Sequence, residues 1–114
     1  MHEYSIVRDL IEQCEHLASD NQATEVSKVV IKIGKLSGVE PDLLATAFDT
    51  FREASPVCRT AELDMQIQPV KIFCRGCGEH STLDEHRYVC PLCQSVEISV
   101  TDGEEMFLMQ LEMK

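Results

Sequence analysis

No tryptophan occurs in these 114 residues, and aromatics as a whole are scarce, with two Tyr and four Phe. Any core must therefore be aliphatic, built from Ile, Leu, Val and Met. No stretch approaches the roughly 20 consecutive apolar residues of a membrane helix. Residues 1–12 show no basic start followed by an apolar run, because Glu3, Arg8, Asp9 and Glu12 interrupt the apolar positions. Positive charge is also short: 10 Lys and Arg face 20 Asp and Glu, a net charge of -10. So acidic a chain repels phosphate backbones and anionic lipid, so neither nucleic acid nor membrane is an expected partner. The same acidity suits cations or a basic protein partner, or serves solubility alone. Gly34-x3-Gly38 lacks the Lys-Ser/Thr of a phosphate-binding loop, and no nucleophile–base pair stands out, so the chain does not read as an enzyme.

What is present is a patterned small domain with room for one mini-domain. Ile6, Val7, Leu10, Ile11, Cys14, Leu17 and Ala18 fall on one stripe of 3.6 period, predicting a helix over residues 3–19. Val29, Ile31 and Ile33 alternate with Val30 and Lys32 as in a strand. A second helix is expected from Pro41, suited to a first helical turn, with Leu43, Leu44, Ala47, Phe48 and Phe51 as its apolar stripe. Residues 61–73 read as one further strand with Pro69 as a kink or edge position. Residues 106–113 read as a last strand with Phe107, Met109, Leu111 and Met113 on one face. The fold class is α/β: two helices covering one face of a small three-stranded sheet, with a four-cysteine module inserted between two strands.

Six cysteines could form a disulfide framework, but without a leader pattern the expectation is a cytoplasmic protein with reduced thiols. Cys74-Arg-Gly-Cys77, twelve residues and Cys90-Pro-Leu-Cys93 make two CxxC turns at the spacing of a tetrahedral metal site. Gly76 and Gly78 suit the first turn and Pro91 the second. Four thiolates leave no open position for water, so Zn²⁺ here is structural. A rubredoxin-like iron site for electron transfer shares this spacing, and a zinc-ribbon interaction module is a further alternative. Cys14, on the helical stripe, reads as a small buried hydrophobe, Cys58 as an ordinary loop thiol, and His80 and His86 as exposed loop residues.

The opening Met1-His2-Glu3 has two readings. His2 is an exposed end residue, or it is a ligand. The Met1 α-amine, the His2 amide nitrogen and the His2 imidazole can close a five- and a six-membered chelate on one ion. Such a nitrogen-rich set suits Ni²⁺ or Cu²⁺, whereas Zn²⁺ prefers the thiolates. Glu3, Glu40 or water could complete the set.

MHEYSIVRDLIE, KIGKLSGVEPDLLATAFDTF and CRGC-x12-CPLC, in that order, resemble the HypA/HybF family of hydrogenase maturation nickel metallochaperones over nearly the whole chain. The resemblance implies a nickel-binding α/β domain, residues 1–72 and 103–114, and a zinc-binding domain, residues 73–102. It implies nickel at His2 with the adjacent backbone, which adds Met1 and Glu3, and zinc at Cys74, Cys77, Cys90 and Cys93. It also implies work with the HypB GTPase to load Ni²⁺ into the [NiFe]-hydrogenase large subunit and, in some bacteria, urease through its accessory proteins. The expected state is a monomer or weak homodimer. Two departures from the family pattern are Tyr4, where Leu is common, and Gln94, where Gly is common after the second CxxC.

Overall fold

The computed structural model describes residues 3–83 and 87–114. Helix α1 spans Glu3–Asp20 and buries Val7, Leu10, Ile11, Cys14 and Ala18, the stripe that the sequence pattern predicts. It ends where Gln22 takes a left-handed conformation (φ 56°) and the Ala23 amide turns back to the Ala18 carbonyl at 2.8 Å. Strand β1 is Val26–Gly34 and helix α2 is Pro41–Phe51. Glu40 caps α2 in extended conformation, its carbonyl accepting from the Leu44 amide at 2.9 Å, and Pro41 takes the first turn, where a missing N–H costs nothing. A 3₁₀ turn, Arg52–Ala54, follows. Strands β2 (Glu62–Gln68), β3 (Lys71–Cys74), β4 (His80–Thr82), β5 (Ile98–Asp102) and β6 (Met106–Met113) complete the order.

The strands form two three-stranded sheets, β2-β1-β6 and β4-β3-β5. In the first, β1 runs parallel to β2 and antiparallel to β6. The connection from β1 to β2 passes through α2, because parallel neighbours need a crossover. Both helices cover one face of this sheet. Val7, Leu10, Ile11 and Cys14 from α1, Leu44, Ala47 and Phe48 from α2, and Val29, Ile31 and Ile33 from β1 make one largely aliphatic core, with Phe48 its largest fully buried side chain. The second sheet is antiparallel throughout and has its own small core of Val70, Ile72, Cys74, Leu83 and Cys90.

Four expectations need correction. Residues 61–73 are two strands in different sheets, β2 and β3: Pro69 offers no N–H to continue a ladder, and the chain leaves one sheet there for the other. Leu43 is 57% exposed and leaves the core stripe of α2 to Leu44, Ala47 and Phe48. In β6 the pairing skips from Val30 opposite Gln110 to Ile31 opposite Leu108, so Met109 is bulged out. That extra residue inverts the alternation. Met106, Leu108, Leu111 and Met113 pack on the core, while Phe107 and Met109 are exposed. Finally, Cys58 is fully buried in the main core beside Cys14, not an ordinary loop thiol.

Where the sheets meet, backbone packs on backbone. A Cβ on Gly34 would lie 2.3 Å from the Gly103 carbonyl carbon. Gly103 is left-handed (φ 97°), and a Cβ there would sit 2.8 Å from the Pro69 carbonyl oxygen. Asp102 ties this junction. Its carboxylate accepts from Lys32 Nζ at 3.2 Å, Gln68 Nε2 at 2.8 Å and the Gly103 amide at 2.8 Å. The Lys32 ammonium, with help from the Gly103 amide, holds its carboxyl below the usual range against the opposing effect of burial.

Candidate metal centre

The two CxxC turns are built alike. In the first, the Cys74 amide donates to the Glu79 carbonyl (3.0 Å) and the Gly78 amide to the Cys74 carbonyl (2.8 Å). In the second, the Cys90 amide donates to Ser95 (2.9 Å) and the Gln94 amide to Cys90 (2.8 Å). Each turn also aims one amide at the sulfur of its leading cysteine, Cys77 N at Cys74 Sγ and Leu92 N at Cys90 Sγ, both at 3.4 Å. The correspondence extends to the backbone. Gly78 (φ 74°) and Gln94 (φ 62°) occupy the same left-handed position. Gly76 suits its place for a different reason. A Cβ there would press on the Ser95 side chain at 3.1 Å, the point where the two turns touch.

The four Sγ atoms lie within 4.8 Å of one another, with Cys74···Cys93 at 3.6 Å and Cys77···Cys90 at 3.7 Å. A disulfide would need about 2.05 Å. A tetrahedron of Zn–S bonds of ~2.3 Å separates sulfurs by about 3.8 Å, so the donor set fits a single Zn²⁺. Cys74 and Cys90 are buried and Cys77 and Cys93 exposed, so the cluster has a closed side and a surface side.

The electrostatics of these thiols agree with a cation-binding role. The Cys77 amide, foremost, draws Cys74 down to about 7. The Glu79 amide pulls Cys77 the same way, yet desolvation and the neighbouring thiols leave it near 12. Cys93 is likewise raised: the Ser95 amide is outweighed mainly by its contact with Cys74. Thiolates gathered this closely repel one another, and a divalent cation removes that conflict.

A family model described as "Hydrogenase/urease nickel incorporation, metallochaperone, hypA" matches residues 1–113. The chain belongs to the HypA family. It is 58% identical to the hydrogenase maturation factor HypA of Shewanella oneidensis over 114 residues, all of this chain and 96% of that one. It is 46% identical to the HypA of Campylobacter jejuni over 114 residues, which covers both chains fully. Its fold is similar to the solution structure of the Ni metallochaperone HypA from Helicobacter pylori, with a TM-score of 0.72, 42% identity, and coverage of 99% of this chain and 97% of that one. HypA proteins are nickel-incorporation metallochaperones of hydrogenase maturation, and the function class of this chain follows.

Within this HypA fold, Cys74, Cys77, Cys90 and Cys93 are brought together as the spacing predicts. Glu3 is the half-buried first residue of α1. Met1 and His2 lie outside the described residues, as does His86. Tyr4, a departure from the family pattern, packs edge-on against Phe51 with centroids 5.4 Å apart. His80 lies on β4, exposed and 5.0 Å from the Phe73 ring. No described helix is long and apolar enough to cross a membrane.

Three features escaped the sequence reading. Ser95 serves the second turn through its carbonyl and the first through its contact with Gly76, and nothing in its spacing marks it. Asp102, the last residue of β5, has no assigned role in the sequence reading. The signal is Asp102-Gly103, a turn pair two residues before the last strand. The buried thiols also proved paired. Cys58 accepts a hydrogen bond from Cys14, which with Ser55 draws it down to about 7 against the effect of burial. Cys14 is pushed up, by that bond first and by burial second.

Proposed function

We propose that this HypA-family chain carries Ni²⁺ on Met1-His2-Glu3 and hands it on for assembly of [NiFe]-hydrogenase, while Zn²⁺ on Cys74, Cys77, Cys90 and Cys93 holds the second sheet together. The observation that carries this reading is the gathering of four cysteine sulfurs within 4.8 Å of one another. One ion held by all four leaves no sulfur for a second metal of different preference, which needs a different donor set. The Met1 amine, the His2 amide and the His2 imidazole are such a set.

The nickel residues lead directly into α1, which begins at Glu3. The positive end of a helix dipole disfavours a dication, so the site binds nickel through its nitrogens without electrostatic help from the helix. That suits transfer by ligand exchange better than storage. The net charge of -10 attracts cations overall and a basic docking surface on a partner. The working division is residues 1–72 and 103–114 for nickel and 73–102 for zinc, with the first boundary drawn back to Pro69, after which Val70 and Ile72 pack in the second core. The partners are the HypB GTPase and the hydrogenase large subunit, with urease maturation as a further outlet, all in the cytoplasm.

The test is a nickel titration of untagged, zinc-loaded protein. His2→Ala abolishes stoichiometric Ni²⁺ binding and leaves zinc content and helicity unchanged. A Gly-Ser extension before Met1 does the same, because it moves the amine out of the chelate. Binding weakens below pH ~6.5, where protons compete for the imidazole. Unchanged nickel affinity in both variants would reject the site.

A further inference from the structure

Near the C-terminal end of β1 a cleft of about 280 Å³ opens between three segments of the chain. Ile6 of α1, Val39 of the β1–α2 loop and Met106 at the start of β6 form its apolar floor, and Ser37, Glu104 and Glu105 its polar rim. Backbone hydrogen bonds tie two of the walls together. The Gly34 amide donates to the Glu105 carbonyl at 3.0 Å and the Leu36 amide to the Gly103 carbonyl at 2.8 Å. The Val39 amide donates to Ser37 Oγ at 3.2 Å, which holds that hydroxyl in place. Val39 belongs to the main core, and Ile6 and Met106 pack against it, so the cleft is formed before anything enters it. It begins one helical turn from Glu3.

The chemistry of the cleft is one-sided. Its charged lining residues, Glu104 and Glu105, are both exposed carboxylates, and no basic side chain lines it. A bare divalent ion does not explain this arrangement. Among the described residues only the four cysteines gather as a cluster of three or more metal-ligating side chains, and an ion has no use for an apolar floor. A long cationic side chain matches both parts. Its methylenes cover Ile6, Val39 and Met106 while its head stays among the carboxylates at the surface. Arginine fits better than lysine, because its planar fork of donors serves two carboxylates and the Ser37 oxygen together.

We infer that this cleft docks an arginine side chain that a partner protein presents between apolar residues. The purpose of docking here rests on the nickel reading, since it sets the partner beside the end of the chain that carries the ion. The binding chemistry does not rest on it. An exposed ion pair adds little affinity, so the cleft selects a basic segment and fixes its orientation while the remainder of the interface holds it.

NMR titration of untagged, zinc-loaded, nickel-free protein tests this with two probes, the peptides acetyl-Leu-Arg-Leu-amide and acetyl-Leu-Gln-Leu-amide. The arginine peptide is expected to shift the methyl signals of Ile6, Val39 and Met106, with a Kd on the order of 1–10 mM. Its affinity falls several-fold between about 50 and 500 mM salt. The glutamine peptide binds about fivefold more weakly or worse, having lost the charge. The arginine peptide is weakened to the same degree by the double substitution Glu104→Gln with Glu105→Gln, which leaves circular dichroism unchanged because both side chains are exposed. With no nickel present the result is independent of whether His2 holds the ion, and His2→Ala leaves it unaltered. Equal binding of the two peptides would overturn the inference. So would full arginine-peptide binding by the double variant, or shifts that leave Ile6, Val39 and Met106 untouched.

Discussion

Gln94 is a residue in a glycine's place. Its φ of 62° matches that of Gly78 in the partner turn, and a side chain in that region costs about 1–2 kcal/mol. Gln94→Gly is therefore expected to stabilise the zinc-bound protein by about 1 kcal/mol. The check is the urea midpoint followed at Tyr88, which lies beside that turn. The sequence revealed the unusual residue but not its conformation, which is set by the two hydrogen bonds closing the turn. Cys58 teaches the converse lesson. A thiol lowered to about 7 is reactive in principle, but Cys58 and Cys14 have no exposed surface. Access decides: iodoacetamide at pH 7.5 labels neither residue in the native protein and both after denaturation, as read by mass spectrometry of peptides.

At the scale of elements, both helices and β1 were legible because their apolar periods are long and uninterrupted. The last strand was legible in extent but not in phase. A bulge leaves no mark in an alternating string such as MFLMQLEM, since its position depends on the pairing with β1. The two phases predict opposite mutational effects. With Met109 bulged and exposed and Leu108 against the core, Met109→Ala costs under ~0.5 kcal/mol and Leu108→Ala about 1–3 kcal/mol in chemical denaturation. The break at Pro69 was hidden for a related reason. β2 and β3 share alternation and β propensity, and only the sheet each joins separates them.

For the whole molecule, two cores of unequal strength imply two responses to metal loss. Two of the five buried residues in the smaller core, Cys74 and Cys90, belong to the four-cysteine cluster, so removal of the metal proposed there is expected to unfold β3, β4 and β5 while the helical signal survives. The junction at Asp102 governs how rigidly the sheets are joined. Asp102→Asn lowers the urea midpoint near neutral pH. Because the folded carboxyl titrates below its unfolded value of about 3.9, the gap between wild type and variant persists above that pH and closes as pH falls through the folded value. The four-cysteine cluster was readable from spacing alone. The junction was not, since Lys32, Gln68 and Asp102 are far apart in the chain and meet only once both sheets have formed. The central claim concerns the division of two metals between two donor sets. Nickel K-edge absorption on untagged, zinc-loaded protein with one equivalent of Ni²⁺ tests it most directly: the account predicts a first shell of nitrogen and oxygen including imidazole, and sulfur around nickel would contradict it.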